Sequence, residues 1–210
     1  MFDSKAIIDA LVGCDEPKVL KLVQNALDEG VAAKEILNQG LIAGMDIVGE
    51  KMENEDMFIP EVLMAAKVMS AAVGILKPLL AEEDMSAMGR VIIGTVKGDL
   101  HDIGKNLVAM MLESAGFEVY NLGVDISPDK FVSEVNEKSA NMVCLSALLT
   151  TTMPMMKQTI DAVVESGLRD RVKIMVGGAP VTKNYANEIG ADGYAPDAGS
   201  AAKLAKALLQ

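Results

Sequence analysis

One histidine, two cysteines, no tryptophan and an aromatic content of 3% leave this chain with little of what common metal and redox sites are built from. The two cysteines, Cys14 and Cys144, are far apart and form no C-x-x-C pair. With a single histidine beside them, that argues against a zinc centre made from protein ligands. Basic residues are scarce too: 19 Lys and Arg stand against 30 Asp and Glu, for a net charge of −11. Such a balance argues against nucleic acid as a partner, because a broad electrostatic footprint needs a basic face. The apolar segment 68–76 runs into Lys77 and Pro78 and is too short to span a bilayer, so no membrane is expected. Met1-Phe2-Asp3-Ser4-Lys5 offers neither a basic start nor a long apolar stretch, so no signal peptide is expected and the compartment is the cytoplasm.

What is present is apolar volume. Half of the 210 residues are hydrophobic, and fifteen are flexible, polarizable methionines, enough for one large domain or two small ones. The first part reads as helices. Val19, Leu22, Val23 and Ala26 recur at helical spacing, with Gly30 as a stop. A short helix is predicted over 33–39, closed by Gly40, and another from Leu41 carrying Met45, Val48 and Met52. Pro60 suits a first helical turn, and Val62, Ala66, Met69, Val73 and Leu76 form a bundle seam. A four- or five-helix bundle over 1–80 is the expectation. Residues 81–89, acidic and without periodicity, read as a linker.

From 90 to 210 the pattern alternates. Short apolar runs at 91–96, 118–122, 142–147, 173–176 and 193–195 are separated by helical patterns, implying a doubly wound five-stranded parallel α/β sheet. Cys144 falls inside one such run and reads as a core residue. Ligands of such sheets sit beyond the strands' carboxyl ends, at the switch point between the first and third strands if the order is flavodoxin-like. The unusual residues gather there: 98–104 after strand one, 146–152 after strand three, Gly177-Gly178 after strand four, and 194–198 after strand five.

His101 is read in two ways. As a lone histidine in a strand-to-helix loop it is a helix-cap or surface residue. As a metal ligand it needs a carboxylate on its other ring nitrogen, and Asp99 is near enough if the loop turns back. Asp102 is explained as the N-cap of the next helix. Gly104 removes a side chain where a flat ligand would lie. Ser146 and the Thr150-Thr151-Thr152 run read as strand-end and N-cap hydroxyls, and the paired glycines as a tight turn; together they also leave a slot for an elongated ligand tail.

Asp99-x-His101-x-x-Gly104, followed by Ser146-Ala147-Leu148-Leu149-Thr150 and Gly177-Gly178, resembles the cobalamin-binding signature. The helical part, with Met57-Phe58-Ile59-Pro60, resembles the cap domain of methionine synthase. Across essentially the whole chain the arrangement is similar to the free-standing corrinoid proteins of methylamine, methanol and methoxyaromatic methyltransferase systems. The resemblance implies a Rossmann-like domain holding cobalamin or a related corrinoid. It makes His101 the lower ligand to cobalt, Asp99 its hydrogen-bond partner and Ser146 the next relay member. It places Gly98, Leu100, Asp102, Gly104, Thr150 and Ala198 in cofactor contact and Gly177 and Gly178 along the tail channel. Met52 and Ile59 would shield the upper face, where methionine synthase has an aromatic residue in place of Met52.

The implied activity is methyl carriage. Cob(I)alamin takes a methyl group from a substrate-specific methyltransferase. The resulting methylcobalamin is then used by a second methyltransferase acting on tetrahydrofolate or a thiol. A reductive activator is a further implied partner, a homodimer is left open, and an O-demethylase system is the favoured donor class. The stretch 85–89 would serve as hinge for the cap. A cobalamin-binding sensor is the competing reading, although the N-terminal helices lack the basic character of a DNA-binding effector. A receiver domain would need an aspartate where this chain has Leu145-Ser146, and a flavodoxin would bring aromatics. A cobalamin-dependent mutase subunit would not carry the helical cap.

Overall fold

A computed structural model describes residues 2–80 and 88–209. Among the described residues the chain divides into two compact units, a helical one up to Leu80 that also takes in Ser114–Gly116, and an α/β one made of the rest from Met88. Of the expected linker and hinge, 81–87 lie outside the described residues. Gly89 is already tied into the sheet, its carbonyl accepting from the Glu118 N–H at 3.0 Å.

The helical unit comprises α1 (Ser4–Val12), α2 (Glu16–Asp28), a single turn α3 (Ala33–Glu35), α4 (Ala43–Glu53) and α5 (Ile59–Leu76). Aspartates start the first two: Asp3 accepts from the Ala6 N–H at 3.0 Å and Asp15 from the Lys18 N–H at 3.2 Å, each satisfying an orphan donor of a first turn. Pro60 lies in the first turn of α5, and Glu61 reaches back to the Phe58 N–H at 2.8 Å. The predicted break at Gly40 does not occur. A π-helical stretch, Ile36–Ile42, carries α3 directly into α4. Gly40 and Gly44 serve a different purpose there: a Cβ would come within 3.1 Å of Ile7 at Gly40 and 2.9 Å of Leu11 at Gly44, so both let α1 approach closely. By length and composition alone Ile59–Leu79 could cross a membrane, contrary to the shorter reading of this segment. Its stripe of Val62, Ala65, Ala66, Met69, Ala72 and Leu76 is buried, with α5 packed against α2 and α4, which makes it the core helix of this unit.

The α/β unit has strands β1 (Arg90–Thr95), β2 (Glu118–Asn121), β3 (Met142–Ser146), β4 (Lys173–Gly177) and β5 (Gly193–Tyr194), all parallel, in the order β2-β1-β3-β4-β5. They are linked by α6 (Ile103–Ser114), α7 (Pro128–Lys138), α8 (Pro154–Glu165) and α9 (Lys183–Ile189), and α10 (Ala198–Leu209) ends the chain. Alternate strand residues Ile92, Val143, Leu145, Ile174 and Val176 pack with Phe131, Val135, Met156, Ile160 and Ile189 into the main core. Met142, Cys144 and Met175 point to the opposite face, as a two-residue period demands. Burial pushes the Cys144 thiol up to about 12, so it is an inert core group. The order places the switch point between β1 and β3, at whose carboxyl ends the unusual loops lie.

Candidate functional site

Beyond β1 the chain turns through Gly98, at φ +82°, and folds back so that Asp99 lies under the loop with none of its side chain exposed. Asp99 is the centre of the site. Its Oδ1 accepts from the His101 backbone N–H at 3.1 Å and faces His101 Nδ1 at 2.8 Å. Its Oδ2 accepts from the Leu148 N–H at 2.8 Å, the Leu149 N–H at 3.3 Å and the Thr152 hydroxyl at 2.7 Å. One carboxylate thus ties the β1–α6 loop to the β3–α8 loop. The Thr152 hydroxyl also lies 2.9 Å from the Leu149 carbonyl, but it has one proton, and an ionised carboxylate is the stronger acceptor.

Burial on its own would raise the Asp99 carboxyl. The hydrogen bonds from Thr152, Leu148 and His101 outweigh it and hold the group well below the usual carboxylate range. An ionised carboxylate can only accept, so the proton shared with His101 sits on Nδ1. Neutral His101 therefore presents a bare Nε2 lone pair. The ring is half exposed, with its backbone carbonyl fixed by the Thr95 hydroxyl at 2.8 Å.

The loops around this nitrogen are apolar and open. Leu100 and Ile103 are 71% and 79% exposed, and Leu148 and Leu149 are exposed beside them. A Cβ at Gly104 would meet nothing within 4 Å. A half-exposed nitrogen donor on loops that also expose leucine and isoleucine side chains fits a large, flat group carrying a metal. It does not fit a metal held by protein alone: among the described residues no three His, Cys, Asp or Glu side chains cluster as such a site requires.

The expected residues divide by place. Gly98, Asp99, Leu100, His101, Asp102 and Gly104 all lie on this loop. Asp102 stands at the N-cap position of α6, where its carbonyl accepts from the Asn106 N–H at 2.8 Å; its carboxylate takes the Asn106 side-chain amide at 3.0 Å. Thr150 is exposed on the neighbouring β3–α8 loop. Ser146, expected as the next relay member, makes no side-chain hydrogen bond to Asp99; that position belongs to Thr152. Ser146 ends β3 and offers its carbonyl to the Val96 N–H at 3.0 Å. The signal for Thr152 was present as the last residue of Thr150-Thr151-Thr152, two before α8, but the run reads as helix-capping hydroxyls. Gly178 at φ +129° has a structural cause, since a Cβ there would lie 1.9 Å from the Ala147 carbonyl oxygen. Gly177 closes β4 and accepts from the Ala147 N–H at 3.3 Å, while Ala198 is buried in the first turn of α10. In the helical unit, Met52 is half-buried on α4 and Ile59 is exposed at the start of α5.

Comparison with known proteins agrees with this chemistry. A family model described as a B12 binding domain matches residues 89–203, and a second model with the same description matches residues 4–77. The chain is 46% identical over 204 residues to a dimethylamine corrinoid protein of Methanosarcina barkeri, covering 97% of this chain and 95% of that one. A cobalamin-binding protein from Desulfitobacterium hafniense DCB-2 superposes with a TM-score of 0.87 at 33% identity, covering 99% of this chain and 98% of the other. The methanol:cobalamin methyltransferase complex MtaBC of Methanosarcina barkeri gives 0.82 at 28%, covering 98% of this chain and 79% of the matched one.

Proposed function

Because the chain belongs to the B12-binding corrinoid protein family, we propose that it is the methyl-carrying subunit of a methyltransferase system, with His101 as the protein ligand to a corrinoid's cobalt. The observation that carries this reading is the Asp99–His101 pair. A buried, ionised carboxylate at 2.8 Å from Nδ1 leaves Nε2 a bare lone pair on a half-exposed ring.

The bound corrinoid supplies a cobalt centre that accepts and gives up a methyl group. The protein supplies the rest. His101 would offer Nε2 to the cobalt, and Asp99 keeps the proton on Nδ1. Leu100, Ile103, Leu148 and Leu149 would contribute apolar contact. Gly98, Asp102, Gly104, Thr150, Gly177, Gly178 and Ala198 complete the proposed contact set.

A methylated amine is the favoured donor over a methoxylated aromatic, supported by the identity to the dimethylamine corrinoid protein. The partners follow: a substrate-specific methyltransferase, a second methyltransferase acting on tetrahydrofolate or a thiol, and a reductive activator. The test is reconstitution with hydroxocobalamin. Wild-type protein should show the spectrum of a corrinoid that has lost its own base and gained histidine, and His101→Ala should lose the histidine signature; an unchanged spectrum would sink the assignment. With the cognate methyltransferase, methyl transfer from dimethylamine should exceed that from methanol or a methoxylated aromatic by at least about tenfold; the reverse order would reassign the donor.

A further inference from the structure

We infer that Asp125, on the β2–α7 loop, is a positioning residue for His101. The inference rests on the reading of His101 as a ligand. It starts from Thr95, the fully buried last residue of β1. The Thr95 N–H donates to the Gly123 carbonyl and the Ile126 N–H donates to the Thr95 carbonyl, both at 3.0 Å. These two bonds pin the β2–α7 loop to β1 on either side of Asp125. Two residues of this short stretch are left-handed, Gly123 at φ +89° and Asp125 at φ +56°. A non-glycine residue in that region is uncommon, though aspartate tolerates it better than most.

The outcome of that conformation is a two-point grip on the next loop. The Gly98 N–H donates to Asp125 Oδ1 at 2.7 Å, and the Asp125 N–H donates to the Asp99 carbonyl at 3.0 Å. The peptide that carries Asp99 is therefore held from both sides. The β3–α8 loop takes its carboxylate, and Asp125 takes its backbone and that of Gly98. Thr95 adds the third point by donating its hydroxyl to the His101 carbonyl. Asp99 orients the imidazole, and Asp125 fixes where Asp99 is. A carboxylate acceptor suits the task because hydrogen bonds to a charged group are stronger than those between neutral groups. Asp125 is exposed, and its hydrogen bonds go to backbone groups of Gly98 and Asp99, not to the His101 ring or the Asp99 carboxylate, so it acts through the backbone.

The test uses the full chain without corrinoid. His101 is the only histidine, so its two imidazole nitrogens give unambiguous signals in a 15N-labelled sample. Three variants separate the causes. Asp125→Asn keeps an acceptor and tolerates the left-handed backbone. Asp125→Gly relieves the backbone but removes the acceptor. Asp125→Ala removes the acceptor and adds strain. Wild type and Asp125→Asn should show one dominant tautomer, with the proton on Nδ1. Asp125→Gly and Asp125→Ala should show tautomer mixing and Gly98 amide exchange at least about tenfold faster, with far-UV circular dichroism unchanged. If Asp125→Gly behaves as wild type, the grip is not what positions the loop and the inference fails, whether or not Asp125→Ala is perturbed. Wild-type protein that keeps the Nδ1 tautomer yet shows no histidine signature with hydroxocobalamin would overturn the ligand reading while leaving this inference standing.

Discussion

Two stretches of the molecule expose apolar side chains together, and they differ in what lies beneath. In the α/β unit, Leu100, Ile103, Leu148 and Leu149 sit over a buried carboxylate with five donors on it. In the helical unit, Phe58, Ile59, Leu63 and Met64 are exposed on a segment whose buried residues, Met57, Val62, Ala65 and Ala66, are all apolar. The first stretch can therefore do chemistry as well as make contact. The second can exclude water and contribute surface. A titratable group needs a built polar shell to hold one protonation state, whereas apolar cover needs only shape.

The comparison breaks most easily at Asp99. Asp99→Asn replaces an acceptor-only group by an amide whose NH2 must face donors on one side or the other. That leaves buried donors unpaired and should destabilise the α/β unit by roughly 2–4 kcal/mol, read from urea unfolding. The pH dependence carries its own sign. Because the native carboxyl is held low, the folded protein binds fewer protons at this site than the unfolded chain. Its contribution is complete above the ordinary carboxylate range, about pH 4, and is lost as pH falls toward the depressed native value. The stability difference between wild type and Asp99→Asn should accordingly narrow in acid. A constant difference from pH 7 downward would show that charge is not what Asp99 contributes.

A smaller effect separates the two candidate hydroxyls. Thr152→Val keeps the shape and removes one donor to Asp99, and should cost roughly 1–2 kcal/mol and weaken corrinoid binding about 10- to 100-fold. Ser146→Ala should stay within about 0.5 kcal/mol of wild type, since its side chain holds nothing of Asp99. Equal effects would return Ser146 to the relay.

How far the sequence alone reaches depends on whether a feature is periodic or relational. The five strands, the order of elements and the gathering of loops at one sheet edge follow from hydrophobic period and loop position, which are local. Asp99 and His101 are legible for the same reason, being two residues apart. Thr152 is not, because its partner lies 53 residues away and only the folded β3–α8 turn decides which of three threonines and a serine faces it. Gly40 fails in the opposite direction: glycine reads as a helix stop, but close packing on Ile7 overrides that signal. Helix α1 carries the same local signals, Asp3 at its start and Ile7, Ala10 and Leu11 on one buried face, yet no separate helix is expected there.

The smallest expected effect sharpens the comparison from the helical side. Phe58 and Met64 are 65% and 56% exposed. Replacing both, as Phe58→Ser with Met64→Gln, removes apolar surface without opening a cavity, so stability should stay within about 0.5 kcal/mol. With hydroxocobalamin the histidine signature should persist, because the donor and the carboxylate that orients it belong wholly to the α/β unit. Ile103→Ser makes the matching change on the other stretch, and should weaken corrinoid binding while leaving stability equally untouched. If the helical double variant instead abolished the histidine signature, its apolar stretch would be setting the state of His101, and the division of labour between the two stretches would have to be abandoned.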